Sequence, residues 1–248
     1  MRIASFFALA LVGCGSDSDD DTADLAPVQF HISLENTSAE GDLVPSDGVA
    51  SNIMFAPGIV IVHDDSFQLF QADSPALFPG FEAMVEDGNN VDLLAEVAAE
   101  SGVYSADSFA ALDADYKDTP MLPGDKAKKS VYGTPGMYIT VATMFGESND
   151  VFAAAIAVPL FDADGVAKDT NATGDIGLWD AGTEVNEEPG LGENQAPRQA
   201  EPGTGDDENG SVVAIDGTDA AGFSYPAPAD MLALDVAVAS VTTGTATP

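Results

Sequence analysis

The sequence predicts a mainly β protein, an antiparallel β-sandwich with a short helical insertion. Three observations carry this fold class. Segments of strand character lie near the start, through the middle and at the end of the chain. Helical periodicity is clear only between about 81 and 100, so a helical pair interrupts the strands early. The 248 residues show no internal repeat, which argues against a solenoid or propeller.

The strands follow in order. Val28 to Glu35 alternates strictly, with Val28, Phe30, Ile32 and Leu34 on one side and Gln29, His31, Ser33 and Glu35 on the other, the pattern of a half-buried strand. "IVIVH", Ile59 to His63, is a continuous β-branched run and reads as a central strand. Pro79-Gly80 is a turn signal, and a helix is expected from near Phe81 to Asp87-Gly88. "VDLLAEVAAES" follows as a second helix with Val91, Leu94, Ala95 and Ala98 on one face and Gly102 as its stop. Strands resume with "MYITVATMF", "VFAAAIAVPLF" and "IGLW". Residues 184–209 are dominated by Gly, Pro, Glu, Asn and Asp without apolar periodicity, a long acidic loop of a length that is usually functional or disordered. "LALDVAVASV" closes the chain with Leu232, Leu234, Val236 and Val238 on one face.

The first residues read differently. "MRIASFFALALVGC" has one basic residue, an apolar run too short to cross a bilayer, and then Gly13-Cys14. Leu11-Val12-Gly13-Cys14 looks like a bacterial lipobox, in which Cys14 is acylated. The expected organisation is a lipoprotein signal peptide over 1–13, an acidic tether over 14–27, a folded domain over 28–241 and a tail over 242–248. Gly15 after the cysteine points to the outer membrane. Cys14 is the only cysteine, so the folded part is expected to have no disulfide, no Cys metal ligand and no Cys nucleophile.

Charge narrows the function classes. There are 42 acidic residues against 7 basic, for a formal net charge of −35. A nucleic-acid partner is excluded for want of a basic footprint, and direct docking on an anionic membrane surface is disfavoured. The excess favours solubility and cation binding.

Few residues offer catalysis. His31 lies on the polar face of the first strand and reads as a surface residue. His63 heads "HDDSF", but no nucleophile elbow accompanies it, and a structural role at the end of a core strand is expected. "FDADG" starts like a calcium loop of the EF-hand type, but the later ligands are missing, so Asp164-Gly165 reads as a hairpin turn. The lysines from Lys117 to Lys129 read as a solvated face. The sharper signal is "LWDAGTEVNEEPG", where the only tryptophan, Trp179, precedes Asp180, Glu184, Glu187 and Glu188. Asp180 and Glu184 are spaced so that a loop leaving a strand turns both carboxylates onto one hard cation, and calcium prefers such oxygen ligands. "GESND", joining two strands, is placed to add a third.

These residues resemble the spondin domain family. "FAPGIVIVHDDSFQLFQADSPALFPGFEAMVEDGNNVDLLAEV" is similar to that domain's early segment, "TMFGESND" to its Ser-x-Asp loop, and "LWDAGTE" to its aromatic-Asp-Ala-Gly-Thr-acid motif. "WDAGTEVNEEPG" with "NQAPRQ" resembles its bacterial branch, and the resemblance covers about 28–241. It implies a C2-like sandwich with a calcium ion (Ca2+) held at one end by Asp150, Asp180 and Glu184. Glu184 stands where the animal pattern has Asp, and the animal cysteines are absent. Trp179 is then expected to be a buried anchor that fixes the strand end. The function implied is a lipid-anchored, non-enzymatic adhesion module of the cell envelope that binds a protein or matrix partner. A calcium-dependent hydrolase and a purely structural envelope protein are the alternatives.

Overall fold

The computed structural model describes residues 26–239; Cys14, the signal and tether assignments before it and after it, and the tail over 242–248 lie outside the described residues. Within them the chain forms two packed antiparallel sheets. The smaller joins β1 (Val28–Asn36), β6 (Lys126–Gly133), β9 (Thr170–Asn171) and β12 (Leu232–Val238) in the order β6-β1-β12-β9. The larger joins β2 (Gly58–His63), β3 (Val103–Phe109), β7 (Tyr138–Met144), β8 (Val151–Pro159), β10 (Ile176–Asp180) and β11 (Val213–Ala214) in the order β11-β10-β8-β7-β2-β3. A small hairpin pairs β4 (Ala111–Leu112) with β5 (Asp118–Thr119).

The alternation of β1 does what its pattern dictates. Phe30, Ile32 and Leu34 are buried between the sheets, packed with Val60, Val62, Val141 and Val236. Strand β2 does not alternate because both of its faces are covered: all six residues are buried. On its other face Ile59 and Ile61 meet α1 (Gly80–Asp87) and α2 (Val91–Val97) through Phe81, Met84, Val85, Leu93 and Val97. A continuous β-branched run is the sequence form of a strand with two apolar sides. The fold is therefore a β-sandwich with a helical insertion laid over the outer face of the larger sheet.

Helix α1 ends at Gly88, whose φ of +67° is the left-handed conformation that closes a helix. Helix α2 buries Leu93 and Val97, not the face containing Val91, Leu94, Ala95 and Ala98. Val91 is exposed because it opens the helix, and Leu93 and Val97, one turn apart, are the pair that reaches the sheet. Strands β3 and β6 were not expected from the sequence. In β6 the exposed Lys126, Lys128, Ser130 and Tyr132 alternate with buried Ala127, Val131 and Gly133, so Lys126 and Lys128 are on the solvated side of an edge strand, while half-buried Lys129 falls on the other side and pairs with Asp107. The turn at Asp164-Gly165 is a hairpin: the Asp162 side chain accepts from the amides of Asp164 and Val166, and Phe161 pairs with Ala167. Among the described residues no helix is long and apolar enough to cross a membrane.

Candidate metal centre

Strand register sets the site. Strands β8 and β10 are antiparallel with Asp180 opposite Val151 and Trp179 opposite Phe152. The residue before β8, Asp150, therefore sits beside the last residue of β10, Asp180, where these two interior strands of the larger sheet end. The chain then turns through Ala181-Gly182, where Gly182 takes a φ of +67° and a side chain would meet the Ser211 backbone. From there the loop runs out and returns along its own start. Val185 donates its amide to the Asp206 carbonyl, Glu208 to Thr183 and Gly210 to Gly182. That ladder brings Glu208 back to the two aspartates.

One carboxylate oxygen from each of Asp150, Asp180 and Glu208 lies within 4.8 Å of the others. Asp150 and Asp180 are buried and Glu208 is exposed. Ligand oxygens across one calcium ion, each at about 2.3–2.6 Å, span a comparable distance. Asp150 is fully buried, and its two oxygens differ. Oδ2 accepts from the Thr183 amide at 2.7 Å and the Glu184 amide at 3.1 Å, whereas Oδ1 has no hydrogen-bond partner. Asp180 is oriented by the Gly182 amide at 2.8 Å and by Asn186 Nδ2 at 2.6 Å. None of the ion pairs among the described residues involves these three acids; Arg198, in the same loop as Glu208, pairs with buried Glu147.

The electrostatics follow. Burial, and then the neighbouring Asp180, push the Asp150 carboxyl up to about 7 against the lowering effect of the two amides. Burial, and then Asp180 and Asp219, raise Glu208 as well. Buried like charges without a counter-ion are costly, and a divalent cation removes that cost. The donors are all carboxylate oxygens; the chain's one cysteine is Cys14, and its histidines lie in β1 and β2. An all-oxygen set suits a hard cation. The group Asp150, Asp180 and Glu208 could hold a metal ion.

Of the three residues expected from the sequence, two thus come together and the third takes another position. The carboxylate of Glu184 accepts from Asn149 Nδ2 at 3.0 Å and packs against Gly205, while its amide helps hold Asp150. Glu184 belongs to a neighbouring acidic group with Glu86, Asp87 and Glu187. Burial raises both Glu184 and Glu86 to about 7, with Asn149 and Thr183 respectively opposing. Glu208 was not picked out because its partners are 58 and 28 residues away in sequence. Its only signal was its place near the end of an acidic loop that begins at the motif. Trp179 is half-buried rather than fully buried. Its ring meets Phe70 edge-on at 5.0 Å beneath the helical layer, while its neighbour Leu178 enters the core between the sheets.

The histidines are occupied elsewhere. His31 is exposed and bonds Ser130 Oγ at 2.9 Å. His63 is buried, with Nδ1 2.7 Å from the Asp64 carbonyl and Nε2 2.8 Å from Thr140 Oγ1. A carbonyl only accepts, so Nδ1 carries the proton and Nε2 accepts from the Thr140 hydroxyl, which itself accepts from the Ala157 amide. Ser66 Oγ bonds Asp64, not His63.

Comparison with protein-family models gives no match to this chain, and comparison with curated proteins gives none either. The class defined by fold and site is a β-sandwich with a candidate cation centre at the strand ends of its larger sheet.

Proposed function

We propose that the chain is a calcium-binding, non-enzymatic module of the spondin type. Lipid on Cys14 holds it to the bacterial cell envelope, at the outer membrane, and its acidic-loop end meets a protein or matrix partner. The observation that carries the calcium reading is Asp150: a fully buried carboxylate with Oδ1 unpartnered, grouped with Asp180 and Glu208. The ion supplies the missing charge and the missing partner, and the three carboxylates supply part of the six to eight oxygens that calcium takes. The non-enzymatic reading is supported by His63, whose two ring nitrogens are both committed to fixed partners, so the ring is not poised as a base for Ser66, which bonds Asp64 instead.

Terbium, which replaces calcium at oxygen sites, tests the reading on the full chain in detergent. Trp179 is adjacent in sequence to Asp180 and is the only tryptophan, so a bound lanthanide is sensitised through it. Saturable terbium emission that calcium competes away is expected. Emission that is absent, or that survives Asp180→Asn unchanged, contradicts the site.

A further inference from the structure

Resting on the calcium reading above, we propose that the ion is also a latch. It closes the base of loop 182–210, so the order of that loop, and the surface it presents, depend on the cation while the sandwich does not. Asp150 and Asp180 are fixed by the β8–β10 ladder whether or not an ion is bound. Glu208 is different. It belongs to the returning leg of the loop, is exposed, and among the described residues has no side-chain hydrogen bond holding it. Three backbone bonds, those of Val185, Glu208 and Gly210, tie that leg to the outgoing one. An ion shared by Asp150, Asp180 and Glu208 therefore joins the ends of two paired strands to the end of a loop, and its removal leaves Glu208 facing two like charges.

The interior of the loop is attached by polar contacts rather than by an apolar core. Arg198 pairs with Glu147, Asn149 donates to Glu187, and Gln199 donates to Asp87 at 2.9 Å. Contacts of this kind release together once the base opens, because few buried apolar groups resist.

The test is limited proteolysis of the full chain with a protease that cuts after acidic residues; Glu193, Glu201, Asp206 and Asp207 are exposed in the loop. If cleavage passes through the opened loop, the rate falls by the factor by which the ion suppresses opening, roughly a hundredfold at free calcium one hundred times the dissociation constant. The cuts that chelation adds should fall within 186–207 only; cuts in the acidic tether and at exposed turns should be the same with and without calcium. With saturating calcium the wild type and the control Asp206→Asn should be protected, whereas Glu208→Gln, shown by calorimetry to be loaded, should not. If Glu208→Gln takes up no calcium, the wild type with and without the ion decides alone. Equal loop cleavage with and without bound calcium overturns the latch and leaves the calcium reading standing. Full protection of loaded Glu208→Gln, or cleavage spread across the sandwich after chelation, also overturns it. Calorimetry that detects no calcium binding to the wild type overturns both.

Discussion

Replacing Asp150 by Asn should stabilise the metal-free protein and remove most of its response to calcium. The amide oxygen of Asn keeps an acceptor for the Thr183 and Glu184 amides, which now reach Asp150 Oδ2. What changes is the charge facing Asp180 and Glu208. Burial raises the Asp150 carboxyl from 3.8 to about 7. In the metal-free protein this stability term is therefore fully present below about pH 4 and lost as pH rises through 7. That difference corresponds to about 4 kcal/mol at about 1.36 kcal/mol per pH unit. That figure is already net of the hydrogen bonds from the Thr183 and Glu184 amides, which oppose the rise. The chelated variant should therefore exceed the chelated wild type by about 4 kcal/mol at pH 8, or roughly 8–16 °C in melting temperature, and by nothing near pH 4. With calcium at one hundred times its dissociation constant the wild type gains about 2.7 kcal/mol and the variant gains little, so the gap narrows to about 1 kcal/mol. Calorimetric melting at both pH values, with chelator and with calcium, reads this directly. A variant less stable than wild type in chelator at pH 8, or one with an undiminished calcium response, refutes the reasoning.

Two further outcomes are expected. Thr140→Val removes the hydroxyl that donates to His63 Nε2 and accepts from Ala157; it should cost about 1–3 kcal/mol at pH 8 in denaturant melts. Burial holds the His63 ring below its usual value, so the stability from keeping it neutral is present above about pH 6.5 and declines as pH falls below it; Thr140→Val, which frees Nε2 to take a proton, should flatten that decline. Cys14→Ser should move the protein from the membrane fraction to a soluble or unprocessed form, since firm anchoring needs more than one acyl chain; a variant that stays processed and membrane-bound contradicts lipidation.

Local pattern made the sandwich legible. Strict alternation gave β1, an unbroken β-branched run gave β2, and Gly88 closed the first helix; the second ends at Val97, five residues before Gly102. Strand β6 stayed hidden because lysines occupy its outer positions and small Ala127 and Gly133 its inner ones, leaving little apolar contrast. The buried face of α2 is not legible because Leu93 and Val97 alone are two points, too few to define a stripe. In the site, Asp180 was legible from its place at the end of a strand and Asp150 only through the resemblance, while the β8–β10 pairing that joins them is a tertiary feature no local pattern announces. Glu208 was not, since its approach depends on how a long loop pairs with its own beginning, a pairing set by single backbone hydrogen bonds and not by side-chain pattern. Glu184 has the spacing of a ligand, but its carboxylate is taken by Asn149 while its backbone supports Asp150.

The most direct test of the central claim is calorimetric titration of the full chain with calcium at pH 8, alongside Asp180→Asn and Asp164→Asn. The account predicts saturable binding in the wild type and in Asp164→Asn, whose substituted side chain lies in the β-hairpin turn, and its loss in Asp180→Asn. A wild type that binds no calcium, or an equal loss in both variants, contradicts it.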